Sequence, residues 1–138
     1  MLKKLPIDVS SLRIMLSKGY LYVDKTEIIH NLITRGRFYF LARPRRFGKS
    51  LLISTLKEIF SGNRELCKDL WIGKSEYDWT QYPVIHLDFS ALDMNSAVAL
   101  EKSLCVELDR RALVYNVDLS QFTTPGSKLT TLIQALAL

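Results

Sequence analysis

Cysteine, proline and glycine are scarce in this sequence. The 138 residues include 2 cysteines, 4 prolines and 6 glycines. Cys67 and Cys105 lie in separate segments without metal-ligand spacing, which argues against a disulfide framework and against a zinc site. We therefore expect both cysteines to be small buried side chains.

Long hydrophobic runs are also missing. No apolar run approaches the roughly 18–20 residues that cross a bilayer, and Pro6 and Asp8 interrupt the N-terminal segment before a signal-peptide core could form. We therefore expect a cytoplasmic protein with no membrane contact. A hydrophobic content of 48% is ordinary for a globular protein. We predict a single domain over residues 1–138, with an N-terminal helical extension at 1–36 and a strand-loop-helix core at 37–138.

Acidic residues are absent between positions 35 and 50, where six basic residues are concentrated. The net charge of the chain is +5, and outside this segment the basic and acidic residues nearly cancel. A protein that follows a polyanion usually spreads its positive charge along a face or groove. The focused charge therefore favours a compact anion as the ligand. The six residues are Arg35, Arg37, Arg43, Arg45, Arg46 and Lys49.

Helical spacing of apolar residues predicts five helices. Ser10 or Ser11 is expected to cap the first helix and Thr26 the second. A Glu107–Arg111 pair one turn apart should stabilise the fourth. The predicted helices cover residues 9–19, from Thr26 to a stop at Gly36, from about Lys49 to a stop at Gly62, from Ser96 to Tyr115, and from Leu129 to the last residue.

Two segments have the composition of buried β-strands. PheTyrPheLeuAla at 38–42 is apolar on both alternating faces, as expected for a strand that helices cover on each side of a parallel sheet. ProValIleHisLeuAspPheSer at 83–90 is rich in β-branched and aromatic residues. The alternation of strands and helices predicts an α/β fold with a mainly parallel sheet.

The loop ArgProArgArgPheGlyLysSer at 43–50 has the residue types of a phosphate site. A helix N-terminus presents unpaired N–H groups and a favourable dipole to an anion. Gly48 permits close approach of the backbone, Lys49 can reach the β and γ oxygens, and the Ser50 hydroxyl can ligate magnesium. Arg43 stands where the general P-loop pattern has glycine, and Pro44 lacks an N–H. The alternative, a solvated basic turn after a strand, stays open.

Three segments resemble one known family. ArgProArgArgPheGlyLysSerLeuLeu at 43–52, GlyTyrLeuTyrValAspLysThr at 19–26 and TyrProValIleHisLeuAspPheSer at 82–90 are similar to segments of the AAA-ATPase-like domain family. This bacterial P-loop domain is often followed by a restriction-endonuclease-like nuclease domain in longer relatives. In that family an Arg-Pro pair replaces the first P-loop glycine. The resemblance implies a P-loop NTPase fold, a three-layer α-β-α sandwich, with ATP and Mg2+ as cofactors.

The resemblance also implies a set of site residues. Lys49 would be the catalytic residue and Ser50 the metal ligand. Separately from the resemblance, Asp88 follows an apolar run at the end of the second predicted strand, which makes it a candidate second metal ligand. The alternative is a helix cap or a loop hydrogen bond, and the resemblance places this segment on the strand before the family's acid strand. Family members continue into a strand ending in an Asp-Glu pair, and this chain ends at Leu138 before it. We therefore expect a sandwich incomplete at its C-terminus, ATP binding with deficient hydrolysis, and self-association. The nucleotide-binding residues would be Arg46, Phe47, Gly48, Lys49, Ser50 and Leu51.

A function of another class also fits the basic loop. The cluster from Arg43 to Lys49 could contact the phosphates of DNA or RNA, as in a nucleic-acid-binding module. The two functions differ in the expected ligand and in the salt dependence of binding. From the sequence alone, a nucleoside triphosphate is favoured because the charge is compact.

Overall fold

The computed structural model describes residues 3–137, in two compact units that divide between Val84 and Ile85. The single-domain organisation expected from the sequence stays a prediction. The first unit contains α1 (Leu12–Ser17), α2 (Thr26–Arg35), α3 (Lys49–Phe60), α4 (Arg64–Cys67) and α5 (Trp71–Lys74). The second contains a short 3-10 helix (Phe89–Ala91), α6 (Ala97–Val114) and α7 (Pro125–Leu136).

The predicted α/β fold, a three-layer sandwich with a parallel sheet, is wrong. Between residues 3 and 137 the chain forms helices and no β-strand, and the only β-type pairing there is an isolated bridge between Lys4 and Tyr20. Residues 38–42 have no helical or strand structure, and the side chains of Phe38 and Phe40 are 95% and 94% exposed. A buried strand needs paired N–H and C=O groups and helices over its faces. No described residue pairs with the main chain of residues 38–42, and no described helix covers their side chains.

The second predicted strand, residues 83–90, is also wrong. Ile85 and Leu87 pack against the core of the second unit, so alternate side chains are partly buried as in a strand. The segment ends at Asp88, whose carboxylate caps the 3-10 helix by accepting a hydrogen bond from the Ser90 N–H at 2.9 Å. Burial of one face therefore occurs without the pairing that defines a sheet.

The core of the first unit forms where α1 and α3 pack together. Leu12 and Ile59 are fully buried there. The Leu12 N–H donates to Ser54 Oγ at 3.0 Å, and the Arg13 guanidinium pairs with the Glu58 carboxylate at 2.8 Å. The predicted α3 is confirmed, and Gly62 follows it with a φ of 72°, a left-handed conformation that favours glycine. This packing holds α3, whose first turn follows the basic loop.

The start of α2 differs from the prediction. Thr26 is the first residue of the helix and does not cap it. Asp24 Oδ1 accepts hydrogen bonds from the Thr26 N–H at 2.8 Å and from Thr26 Oγ1 at 2.7 Å, while Asp24 Oδ2 accepts from the Trp71 N–H at 2.6 Å. Thr26 Oγ1 in turn accepts from the buried Ile72 N–H at 3.1 Å. These two side chains therefore join the start of α2 to the start of α5.

The second unit is a helical pair, α6 against α7. Leu108 and Leu132 are buried between the two helices. The ammonium of Lys128, 5% exposed, donates to Asp109 Oδ1 at 2.5 Å. The predicted Glu107–Arg111 pair on α6 is confirmed. Both helices agree with the apolar spacing of the sequence.

Candidate phosphate-binding site

The candidate site is the loop of residues 43–48 together with the first turn of α3. Helix α3 begins at Lys49 directly after Gly48, whose φ is 79° and which supplies no side-chain cap. The first main-chain hydrogen bond of the helix runs from the Leu52 N–H to the Gly48 carbonyl oxygen at 2.9 Å. The N–H groups before Leu52 are therefore left without the usual helical acceptors.

The main-chain amides of residues 46–51 have no hydrogen-bond partner within the described part of the chain. Every residue from 43 to 50 is exposed. Arg46, with a φ of 66°, adopts the left-handed conformation that non-glycine residues rarely use. Gly48, two residues on, is left-handed as well. Such strained backbone is concentrated at functional sites.

The Lys49 side chain folds back across the loop. Its ammonium donates to the Arg43 carbonyl oxygen at 2.5 Å and to the Pro44 carbonyl oxygen at 3.3 Å. The sequence did not reveal these two contacts of Lys49, because a carbonyl group carries no residue-type signal. The ammonium therefore lies over the same turn as the unpaired amides.

Gly48 leaves open space where a ligand would approach. A Cβ atom built at this position would meet nothing within 4 Å. The Ser50 hydroxyl has no hydrogen bond to any described residue. Amides, ammonium and hydroxyl on one short turn fit the phosphates of a nucleotide and one cation ligand. These residues thus suit the cofactors expected from the sequence.

The predicted site residues from Arg46 to Leu51 are contiguous on the loop and the first turn of α3. Phe47 is 68% exposed, whereas Leu51 packs against the core of the first unit. The role expected for Leu51 therefore rests on its N–H, since its side chain is used to anchor the helix.

Asp88 belongs to the second unit, where its carboxylate has a structural role. Hydrogen bonds from the Ser90 hydroxyl and from the Ser90 N–H lower the pKa of Asp88. The helix-cap alternative is therefore seen directly. Contact of Asp88 with magnesium stays a prediction.

Two classes of feature are absent from the described residues. No helix between residues 3 and 137 combines the length and the hydropathy that a membrane span requires. In the same range, no group of three or more His, Cys, Asp or Glu side chains is placed to hold a metal ion.

Comparison with known proteins identifies the family of the chain. A family model described as "Predicted AAA-ATPase" matches residues 6–138. A curated protein from Azotobacter chroococcum mcd 1, described as "Uncharacterized protein in vnfD 5'region", is 43% identical over 101 residues, which are 72% of this chain and 19% of that protein. The chain thus spans about a fifth of the length of this relative. No solved structure matches the present chain. The family predicted from the three sequence segments is confirmed, and the chain belongs to the predicted AAA-ATPase family.

Proposed function

We propose that the loop of residues 43–50 binds the phosphates of ATP. The observation that carries the proposal is the set of unpaired amides at 46–51, beside the Lys49 ammonium and at the N-terminus of α3. Phosphate oxygens would accept hydrogen bonds from these amides, and the positive end of the helix dipole would add to the attraction.

Lys49 and Arg46 supply the charge in this proposal. On ligand binding the Lys49 ammonium exchanges the two carbonyl oxygens of the loop for the β and γ phosphate oxygens, which are charged and therefore stronger acceptors. Arg46, next to Phe47 on the exposed loop, offers a guanidinium for bidentate contact. The Ser50 hydroxyl would hold Mg2+ bound with the nucleotide, and the cation would supply positive charge that offsets the charge of the phosphates.

Thermal unfolding of the chain with and without ATP and Mg2+ tests the proposal. A ligand that binds only the native state raises its stability by about 2.7 kcal/mol at a hundredfold excess over Kd. We expect ATP with Mg2+ to raise the Tm of the native chain and to leave that of Lys49→Ala unchanged. Lys57→Ala is the matched control, because Lys57 is an exposed lysine in the last turn of the same helix. This control should respond to ATP as the native chain does.

The same measurement separates nucleotide binding from nucleic-acid binding. An oligonucleotide held by the cluster from Arg43 to Lys49 would raise the Tm strongly at low salt and weakly at high salt. Stabilisation by the oligonucleotide but not by ATP would overturn the proposal. Equal stabilisation of Lys49→Ala and the native chain by ATP would overturn it as well.

A further inference from the structure

Apart from the loop at 43–50, the first unit has a concave site at the C-terminal ends of α2 and α3. Its cavity has a volume of about 420 Å3, within the range of small-molecule sites. Phe60, the last residue of α3, lines it, so most of the helix, roughly 16–18 Å, separates the cavity from the phosphate loop. The lining residues are His30, Ile33, Thr34, Phe60, Glu76, Tyr77, Asp78 and Tyr82.

Aromatic rings form much of the cavity wall and are held in place by one another. Tyr77 packs edge-on against His30, with ring centroids 6.0 Å apart, and against Trp79 at 5.4 Å. Tyr82 packs edge-on against Phe60 at 6.0 Å, and its N–H donates to the Phe60 carbonyl oxygen at 2.7 Å. Tyr82 nevertheless stays 51% exposed. The wall therefore offers ring surface that the fold itself does not bury.

The charges around the cavity favour a cation. Glu76 and Asp78 are both exposed, and Glu76 has no hydrogen bond or ion pair to any described residue. Asp78 accepts only from Thr80, through its N–H and its hydroxyl, which leaves carboxylate lone pairs free. No lysine or arginine is among the lining residues. The C-terminal ends of α2 and α3 add partial negative charge.

The pKa of the Tyr77 hydroxyl is affected by one of these carboxylates. Burial raises the pKa of Tyr77, and the negative charge of Asp78 raises it further. The carboxylate of Asp78 therefore acts on the Tyr77 ring, and an ammonium ion beside that ring would meet the same negative charge.

We propose that this cavity binds a small organic ammonium ion, with its alkyl groups against the rings of Tyr77 and Tyr82 and its charge beside Glu76 and Asp78. Aromatic faces attract such ions through cation–π interaction, and alkylammonium groups bury against rings better than a hydrated metal ion does. A bare metal ion is disfavoured because only two carboxylates line the cavity.

Calorimetric titration of the full chain with choline tests the proposal, with the neutral choline analogue in which carbon replaces nitrogen as the matched ligand. We expect choline to bind about tenfold more tightly than the analogue. Glu76→Gln should weaken choline binding about threefold or more, because an adjacent charge is lost. Tyr82→Leu should weaken it similarly, because the ring is lost. Glu101→Gln, at an exposed glutamate of the second unit, removes the same charge elsewhere and should leave the affinity unchanged.

Each of the following results would overturn the proposal. Choline and its neutral analogue could bind equally, no binding of choline could be detected, or choline affinity could be the same in Glu76→Gln as in the native chain. Glu76 is exposed and makes no contact that folding requires within the described chain, so the variant is expected to keep the native Tm. A loss of affinity in Glu101→Gln equal to that in Glu76→Gln would also count against a specific site.

Discussion

Lys49 Nζ donates a hydrogen bond to the Arg43 carbonyl oxygen, 2.5 Å away, so that the ammonium closes the loop that its own helix begins. Both partners are exposed to water. Lys49→Ala should therefore change the free energy of unfolding by about 0.5 kcal/mol or less, since water can replace the lost contact. Urea denaturation would measure this change. A loss above about 2 kcal/mol would mean that the ammonium is a structural group.

Gly73 is expected to tolerate no larger residue. A Cβ atom at this position would lie 2.1 Å from the Cys67 carbonyl oxygen and 2.7 Å from Lys68 Cα, both of them main-chain atoms that cannot turn aside. Gly73→Ala should lower the free energy of unfolding by at least about 2 kcal/mol. Gly126→Ala is the control, because its Cβ would meet nothing within 4 Å and alanine favours the helix. Equal urea midpoints for the two variants would contradict the packing described for α4 and α5.

Asp24→Asn should destabilise the first unit in a pH-dependent way. Asn has one acceptor oxygen where Asp has two, so it cannot accept from Thr26 and from the Trp71 N–H at the same time, and the expected cost near neutral pH is about 1–3 kcal/mol. Burial acts to raise the pKa of Asp24, but hydrogen bonds from Thr26 and Trp71 outweigh it and hold the pKa below 3.8. Because its pKa is lowered, the Asp24 carboxylate stabilises the native state at pH values above 3.8. This contribution is lost as the pH falls through the native-state pKa.

The difference in unfolding free energy between the native chain and Asp24→Asn should therefore shrink as the pH falls below about 4. Urea titrations across this range measure it. Asp69→Asn, at an exposed aspartate near α4, is the control and should show little difference at any pH. A difference for Asp24→Asn that grows on acidification would reverse the expected sign.

Leu132 and Ile133 offer an internal comparison on α7. Leu132 is fully buried in the core of the second unit, while its neighbour Ile133 is 50% exposed. Leu132→Ala should cost about 2–5 kcal/mol through the lost transfer free energy and the cavity left behind. Ile133→Ala should cost less than about 1 kcal/mol. Denaturation monitored by circular dichroism checks the order, and similar costs would mean that α7 buries a different face.

Cys67 is expected to resist alkylation in the native chain. Burial, together with the negative charges of Glu58 and Asp24, raises the pKa of Cys67 to about 11, so the reactive thiolate is rare. Cys105 is only half-buried and should be modified first. Mass spectrometry after brief iodoacetamide treatment at about pH 8 would show the order, and urea should make both thiols reactive. Faster modification of Cys67 in the absence of urea would contradict its burial.

Several local features could be predicted from the sequence because they depend on near neighbours. Apolar spacing located α3, α6 and α7, since one buried stripe every 3.6 residues is visible in a linear chain. Ser10 or Ser11 was expected to cap α1, and the structure shows that Ser11 does so, accepting the Ile14 N–H at 3.4 Å. Both cysteines were predicted to be buried, which is confirmed for Cys67 and wrong for Cys105, which is only half-buried. By contrast, residues 64–82 gave no clear pattern. Carboxylates nevertheless alternate with aromatic residues at 76–79, the segment that lines the cavity at the ends of α2 and α3.

By itself the sequence determined the family, the helices with strong periodicity and the contiguous basic loop at 43–50, because each of these is encoded by neighbours along the chain. The tertiary structure alone decided that residues 38–42 and 83–90 form no sheet, that Asp24 joins α2 to α5, and that the Lys49 ammonium lies on the Arg43 and Pro44 carbonyl oxygens. The physical reason is that a strand and a long-range hydrogen bond both need a partner distant in sequence. Composition can show that a segment is suited to such pairing, but only the folded chain decides whether the distant partner lies beside it.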